Sequence, residues 1–338
     1  MKRNMKAWMA EAIASSVKKA MPLLSFPCVS LLDIEVTELT DSADLQAKGM
    51  KTVADRTPAG VAVSMMDLSV EAEAFGAQVH FLPDEVPTIT GILVDDEEKA
   101  YALEIPGVGD GRTGIYVDAI RKACRLITDR PVLAGVIGPF TLTGRLMGVS
   151  DVMILCYDEP DMVHTVLDKA TRFLIDYIKA YKDAGAHGVV VAEPLAGLLS
   201  PALADEFSSP YVKRITDNVK SDEFLVIYHN CGNNVPLMLE SILSTDCDGY
   251  HFGDAIDMST VIDKIPADVL VMGNISPSAQ FLAGTPDSIR EETLKLLKTY
   301  APTHPNYIIS SGCDIPPKTP WENIDAFFNA VTEYYRGV

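Results

Sequence analysis

Seven short apolar segments recur along this chain, and each runs directly into a polar residue or a Gly/Pro turn. Helical patterns separate most of these segments. Strands that are apolar on both faces and alternate with helices are typical of a parallel sheet buried on both sides, and eight such units close into a barrel. We therefore predict an α/β fold, a (β/α)8 TIM barrel. The seven segments are residues 60–65, 131–136, 188–192, 224–228, 249–252, 269–272 and 307–310.

Residues 26–31 form a weaker candidate for the eighth strand, because Pro27 stands near its start. A doubly wound open sheet is the competing prediction. That fold usually carries a Gly-x-Gly-x-x-Gly turn after an early strand, and no such turn occurs here. Polar residues at the carboxyl ends of nearly all strands favour the barrel, since those ends meet at one mouth.

The domain organisation does not follow from length alone, because 338 residues suit either two average domains or one large barrel. The regular strand and helix alternation predicts a single domain over residues 1–338. An amphipathic helix within residues 1–25, with Trp8 and Met9 on its apolar face, is expected to extend the barrel and pack on its outside. Residues 82–111 are rich in proline and glycine and are predicted to form an excursion from the barrel.

Net charge excludes several classes of partner. The formal charge of −19 would repel nucleic acid and anionic membranes. No apolar run approaches the roughly 20 residues that a membrane span needs, and the N-terminal segment lacks the features of an export signal. We expect a cytoplasmic enzyme in which the six cysteines are reduced.

A His-x-Cys pair, His229 and Cys231, follows the apolar strand at 224–228, and Cys313 follows the strand at 307–310. Alternate residues of an extended segment point the same way, so the imidazole and the thiolate can reach one cation. Imidazole with thiolates suits Zn²⁺, and three protein ligands leave a fourth position open for catalysis. A structural zinc site would more commonly show CxxC pairs, which this chain lacks.

Polar residues at other strand ends should gather around this metal. Asp67, Glu193 and Asp254 are the carboxylate candidates for catalysis, although ordinary hydrogen bonding at the barrel mouth would explain Glu193 and Asp254 equally well. Asp254, Glu193 or water could complete the zinc shell. One imidazole and two thiolates neutralise Zn²⁺, so an added thiol could bind there and ionise, which makes it a nucleophile.

These residues carry a resemblance to the uroporphyrinogen decarboxylase superfamily, and within it to zinc-dependent corrinoid methyltransferases of the methylcobamide:coenzyme M type. The similarity extends over nearly the whole chain from about residue 27, and His-x-Cys with the distant cysteine is its most specific part. The matching motifs are residues 65–76, 138–141, 193–194 with 199–201, 207–211, 229–233, 273–277 and 311–313.

The resemblance implies zinc at His229, Cys231 and Cys313. It also implies transfer of a methyl group from a methylated corrinoid, methylcobalamin, to a thiol such as coenzyme M. Three residues within the matching motifs are expected to contact the cofactor: Asn233, Asn274 and Ser276. The chain has no corrinoid-binding Asp-x-His-x-x-Gly segment, so the cobamide should arrive on a partner corrinoid protein.

Two other functions stay open at this point. The first is a metal-free decarboxylase of the uroporphyrinogen type. Such enzymes carry an arginine-containing tract near the first strand that receives the substrate carboxylates, whereas residues 26–31 contain no arginine. The second is a non-catalytic module that binds metal or corrinoid, although mere binding would not require an open coordination position.

Overall fold

A computed structural model describes residues 3–336, so positions 1, 2, 337 and 338 of the predicted domain lie outside the described residues. Within this range, seven parallel strands form one sheet in the order β1-β4-β5-β6-β7-β8-β9, and β2 pairs with β3 in an antiparallel hairpin. The strands are Ala62–Val63 (β1), Gln78–Leu82 (β2), Glu85–Thr90 (β3), Val132–Ile137 (β4), Gly188–Ala192 (β5), Leu225–Asn230 (β6), Gly249–Phe252 (β7), Leu270–Ile275 (β8) and Tyr307–Ser311 (β9). All seven strong strand predictions are confirmed.

Helices follow most strands of the sheet and cover its outer face. The α-helices are Met5–Ala14 (α1), Cys28–Leu32 (α2), Val36–Thr40 (α3), Ala43–Arg56 (α4), Val70–Ala74 (α5), Glu97–Ala102 (α6), Thr113–Leu126 (α7), Pro139–Met147 (α8), Val149–Asp158 (α9), Pro160–Ala184 (α10), Pro201–Phe207 (α11), Ser209–Val219 (α12), Leu239–Leu243 (α13), Pro286–Tyr300 (α14) and Trp321–Arg336 (α15). Short 3₁₀ turns at Leu195–Leu198, Val235–Leu237, Met258–Thr260 and Ile262–Lys264 and a π turn at Pro277–Leu282 complete the connections.

An extended segment at residues 20–24 takes the eighth position between β9 and β1. The Met21 N–H donates to the carbonyl of Ile309 at 3.1 Å, and the Gly60 N–H donates to the carbonyl of Ala20 at 2.8 Å. Pro22 has no N–H to contribute, which keeps this segment from forming a regular ladder. The segment closes the sheet into a barrel, so the predicted TIM-barrel class is confirmed.

The prediction of a strand at residues 26–31 is wrong. Pro27 instead precedes α2, because its ring fixes a φ of −58° that suits the start of a helix. Cys28 is fully buried in this helix and packs against Gly49 of α4, where a β-carbon would lie 2.5 Å from the Cys28 sulfur. The apolar character of residues 26–31 therefore reflects helix packing.

Side chains of the barrel strands alternate between two apolar clusters. In β6, Val226 and Tyr228 face the helices, whereas Leu225 and Ile227 belong to a separate cluster inside the barrel. This alternation follows from the two-residue period of a strand. His229 continues the inward-facing series.

The N-terminal helix α1 contributes to the interior cluster. Met5 and Met9 are buried there with Leu225, Leu270 and Ile308, which lie near the amino ends of their strands. The predicted N-terminal helical extension is confirmed, and it covers the amino-terminal end of the barrel, where the interior cluster would otherwise be open to water. The helix is held there by the N–H groups of Met5 and Lys6, which both donate to the carbonyl of Asp222.

The predicted excursion at residues 82–111 contains β3 and α6. The hairpin of β2 and β3 stands apart from the barrel sheet and is largely exposed. No helix in residues 3–336 is long and apolar enough to cross a membrane. The boundary of a single domain at 1–338 stays a prediction.

Candidate metal centre at the carboxyl end of the barrel

Three side chains converge where β6 and β9 end. His229 is the fifth residue of β6 and faces the barrel interior, and Cys231 follows one residue after the strand. Cys313 lies two residues beyond β9. His229 is buried, while the two cysteines are partly buried. Parallel strands end on one rim, which brings residues 82 positions apart in the chain into contact.

The ligand atoms of His229, Cys231 and Cys313 all lie within 4.8 Å of one another. The Cys313 sulfur is 3.5 Å from Nε2 of His229. Tetrahedral Zn²⁺ with bonds of roughly 2.0 Å to nitrogen and 2.3 Å to sulfur would hold these two atoms about 3.5 Å apart. This donor set therefore fits zinc in both chemistry and spacing, and it supplies three ligands.

The two thiols interact directly. Their mutual hydrogen bond is the main reason that the pKa of Cys231 is lowered and that of Cys313 is raised to about 12. Burial also raises the Cys313 pKa. One thiol is thus already disposed to ionise beside the other, and a divalent cation would favour the thiolate form of both.

Glycines allow the loops to approach one another around this centre. A β-carbon on Gly253 would lie 2.3 Å from Cβ of Cys231, and one on Gly312 would lie 3.0 Å from Oδ1 of Asp254. Contacts this short are not available to any larger residue without movement. Gly253 and Gly312 therefore set how closely the loop after β7 packs against the loops that carry the two cysteines.

His251 and Ser310 lie behind His229 and were missed in the sequence analysis. Nδ1 of His251 is 2.7 Å from Nδ1 of His229, and Nε2 of His251 is 2.8 Å from Oγ of Ser310. Both residues are fully buried, and burial lowers the pKa of His251 well below its usual range. The available signal was strand alternation: Tyr250 and Phe252 face the helices, so His251 must face the barrel interior.

The two carboxylates predicted near the metal have different surroundings. Asp254 lies close enough to Cys231 for its charge to oppose the lowering of that thiol's pKa. Glu193 is fully buried, and its oxygens accept hydrogen bonds from the Phe140 N–H and from the Thr141 N–H and hydroxyl, at 2.7–3.0 Å. Burial raises the Glu193 pKa to about 7, although these donors oppose the rise. The Glu193 carboxylate is thus hydrogen-bonded to the first turn of α8.

Asp67 belongs to a separate buried cluster with Arg112. Its carboxylate accepts hydrogen bonds from the Arg112 guanidinium at 2.6 Å, from the Tyr116 hydroxyl at 2.8 Å and from the Ser69 N–H and hydroxyl. Arg112 also pairs with Glu73 at 2.7 Å. Asp67 is not one of the three clustered ligands. Arg112 lies just after the predicted excursion and was missed, since nothing local in the sequence indicates that it will be buried.

The three residues predicted to contact the cofactor have different surroundings. Asn233 is exposed on the loop after Cys231. The Asn274 amide donates to the carbonyls of Gly253 and Ile256, and the Ser276 hydroxyl accepts from the Ala279 N–H at the start of the π turn. Asn274 and Ser276 line a cavity of about 580 Å³ together with Asp254, so this cavity adjoins the metal centre through Asp254.

Known proteins resemble this chain over most of its length. A uroporphyrinogen decarboxylase of Coxiella burnetii is 28% identical over 295 residues, which are 82% of this chain and 78% of the relative. The methylcobamide:CoM methyltransferase MtbA of Methanosarcina acetivorans is 26% identical over 272 residues, 79% of this chain and 78% of the relative.

Solved structures share the fold. A methyltransferase from Methanosarcina mazei superposes with a TM-score of 0.86 at 23% identity and covers 99% of both chains. A B12-independent methionine synthase from Shewanella sp. gives a TM-score of 0.62 at 11% identity, covering 95% of this chain and 96% of that one. The sequence itself matches the uroporphyrinogen decarboxylase (URO-D) family over residues 21–334. This chain therefore belongs to the uroporphyrinogen decarboxylase family.

Proposed function

We propose that this protein is a zinc-dependent methyltransferase that moves a methyl group from a methylated corrinoid, carried by a partner protein, to a small thiol. The observation that carries the proposal is the convergence of His229, Cys231 and Cys313, whose ligand atoms lie within 4.8 Å of one another. Three ligands of this type are a common basis of catalytic zinc sites, because a fourth position stays open for substrate. The similarity to MtbA supports the same function.

Zinc bound there would lower the pKa of an incoming thiol and hold it as a thiolate nucleophile at neutral pH. In the overall reaction the thiol loses its proton to solvent and a sulfur–carbon bond forms. The cobalt–carbon bond breaks, and both of its electrons stay on cobalt, which leaves as Co(I). The acceptor could be coenzyme M or another thiol.

Other residues of the protein would supply the fourth zinc ligand and the contacts to the corrinoid. Asp254 is the better placed of the two candidate carboxylates for the fourth position, since Glu193 already accepts three hydrogen bonds at the start of α8. We further propose that Asn233, Asn274 and Ser276 face the incoming corrinoid. We also propose that Asp67, held in place by its ion pair with Arg112, is a catalytic carboxylate at the barrel mouth.

Metal analysis and a methyl-transfer assay test the proposal together. Purified protein should contain one zinc per chain and demethylate methylcobalamin in the presence of a suitable thiol. C231S and C313S should lose most of the zinc and the activity while staying folded. C124S is a matched control, since Cys124 is a partly buried cysteine on α7 away from the centre.

Decarboxylation is the second candidate, because curated relatives at 26–28% identity include uroporphyrinogen decarboxylases. It would require activity without zinc and a site for several carboxylates. Arg112, the arginine buried near Asp67, already pairs with two carboxylates of the protein itself. Decarboxylation by zinc-free protein would contradict the methyltransferase proposal, and zinc binding with no turnover by any thiol would favour a non-catalytic binding module.

A further inference from the structure

We propose that His251 and Ser310 are positioning residues that fix His229 in the tautomer whose Nε2 is free to bind a metal. The inference deepens the proposed function and rests on its metal site. Four groups from separate parts of the chain form one line of hydrogen bonds: the Met21 carbonyl, Ser310, His251 and His229. The direction of this line can be deduced from its fixed end.

The fixed end is the backbone carbonyl of Met21, which can only accept a hydrogen bond. The Ser310 hydroxyl donates to it at 2.8 Å. A serine hydroxyl has one proton, so after this bond its oxygen can only accept. Nε2 of His251, 2.8 Å from the same oxygen, must therefore carry a proton and donate it to Ser310.

The other nitrogen of the fully buried His251, Nδ1, faces His229. Nδ1 of His229 lies 2.7 Å from it, so only one of these two nitrogens can carry a proton. A second contact identifies which one. Nδ1 of His229 is also 3.3 Å from the backbone carbonyl of His251, which can only accept, so His229 carries the proton and Nδ1 of His251 is the acceptor.

The consequence appears at the other nitrogen of His229. With the proton on Nδ1, Nε2 has a lone pair, and this is the nitrogen that lies 3.5 Å from the Cys313 sulfur. The reverse tautomer would place a proton on Nε2, where a metal has to bind, and would leave Nδ1 facing the His251 carbonyl without a proton. Outer partners of this kind fix the tautomer and orientation of metal-binding histidines in many proteins.

The line also connects the metal centre to barrel closure. Met21 lies in the segment at residues 20–24 that fills the eighth position of the barrel, while Ser310, His251 and His229 belong to β9, β7 and β6. Ser310, His251 and His229 are all at most 2% exposed, so water does not compete for these hydrogen bonds. The segment at residues 20–24 thus contributes to the metal centre through the backbone carbonyl of Met21.

The first test measures the tautomer directly in metal-free wild-type protein. Histidine labelled with ¹⁵N reports by NMR which ring nitrogen carries the proton, and comparison with H229Q and H251Q spectra assigns the two residues. We expect His229 protonated at Nδ1 and His251 protonated at Nε2. A proton on Nε2 of His229 would overturn the inference whether or not any variant folds.

The second test compares S310A with S311A. Ser311 is the adjacent buried serine, and its hydroxyl accepts from the Leu23 N–H without contacting either histidine ring. S310A should show a second tautomer of His251, whose Nε2 loses its acceptor, and should bind zinc roughly 10- to 100-fold more weakly in competition with a chelator. S311A should keep the wild-type tautomer and affinity.

S310A with wild-type tautomers would refute the inference even if zinc binding weakened, because the serine would then act only on packing. Failure of the proposed function gives a different pattern. A protein that binds zinc with the expected tautomer but transfers no methyl group to any thiol would contradict the reaction and leave this inference standing.

Discussion

Replacing Gly253 with alanine should destroy the metal centre while leaving the barrel intact. The new β-carbon would lie 2.3 Å from Cβ and 2.5 Å from Cα of Cys231. Carbon atoms in contact prefer about 3.5–4.0 Å, so one of the two loops has to move by roughly 1 Å or more. The loops cannot separate freely, because the Gly253 N–H donates to the carbonyl of Asn230 at 3.0 Å.

The expected loss of zinc affinity follows from the narrow range of ligand distances that a zinc site allows. Zinc–ligand distances vary by only about 0.2 Å, so a 1 Å shift of Cys231 removes it from the shell. We expect zinc affinity to fall by at least about 100-fold, the upper end of what loss of an outer partner causes. Overpacking should cost about 1–3 kcal/mol of the free energy of unfolding, which leaves the fold intact.

Chelator competition measures the affinity of G253A for zinc, and thermal unfolding of the metal-free protein measures the stability cost. G107A is the matched control, because a β-carbon on Gly107 would have Asp110 as its nearest neighbour at 3.6 Å, an ordinary contact. It should bind zinc as the wild type does. Wild-type zinc affinity in G253A would refute the placement of Cys231 in the metal shell.

Three further predictions concern stability and domain structure. Burial raises the pKa of Glu71 from 4.5 to about 8, so the folded state holds its proton more tightly than the unfolded state does. As the pH rises from about 4.5 to 8, the free energy of unfolding of the wild type should therefore fall relative to that of E71Q, by up to about 4–5 kcal/mol. Denaturant titrations that give parallel pH profiles of this free energy for the two proteins would contradict the prediction. R112M should cost about 3 kcal/mol because it leaves Asp67 buried without its cation, whereas R290M, which breaks an exposed pair, should cost less than about 1 kcal/mol; equal costs in chemical denaturation would refute the buried-pair argument. Limited proteolysis should cut first within residues 82–111, where the hairpin strand is exposed, and cleavage near residue 150 into two folded halves would contradict a single domain.

The sequence by itself determined the strands and the three candidate metal ligands. The seven strands are apolar on both faces, a local pattern that needs no knowledge of neighbours. His229, Cys231 and Cys313 could be grouped from their positions at strand ends, because parallel strands in a barrel deliver their carboxyl ends to one rim.

Only the tertiary structure decided how the barrel closes. The segment at residues 20–24 contains Pro22 and pairs irregularly, so it shows no strand pattern, whereas residues 26–31 are apolar because α2 packs against α4. The apolar face of the N-terminal helix predicts that it packs against the barrel but does not reveal which surface it covers. The structure shows that it covers the interior cluster at the amino-terminal end. In both cases the partner lies far away in the chain, and burial against it cannot be read locally.

The surroundings of the metal ligands were likewise decided by tertiary contacts. His251 and Ser310 are separated by 59 residues and meet only because β7 and β9 both direct these side chains into the barrel. Arg112 becomes a buried partner of Asp67 only through a contact across 45 residues. Hydrogen bonds over such distances depend on the relative positions of whole strands and helices, and the barrel sets those positions.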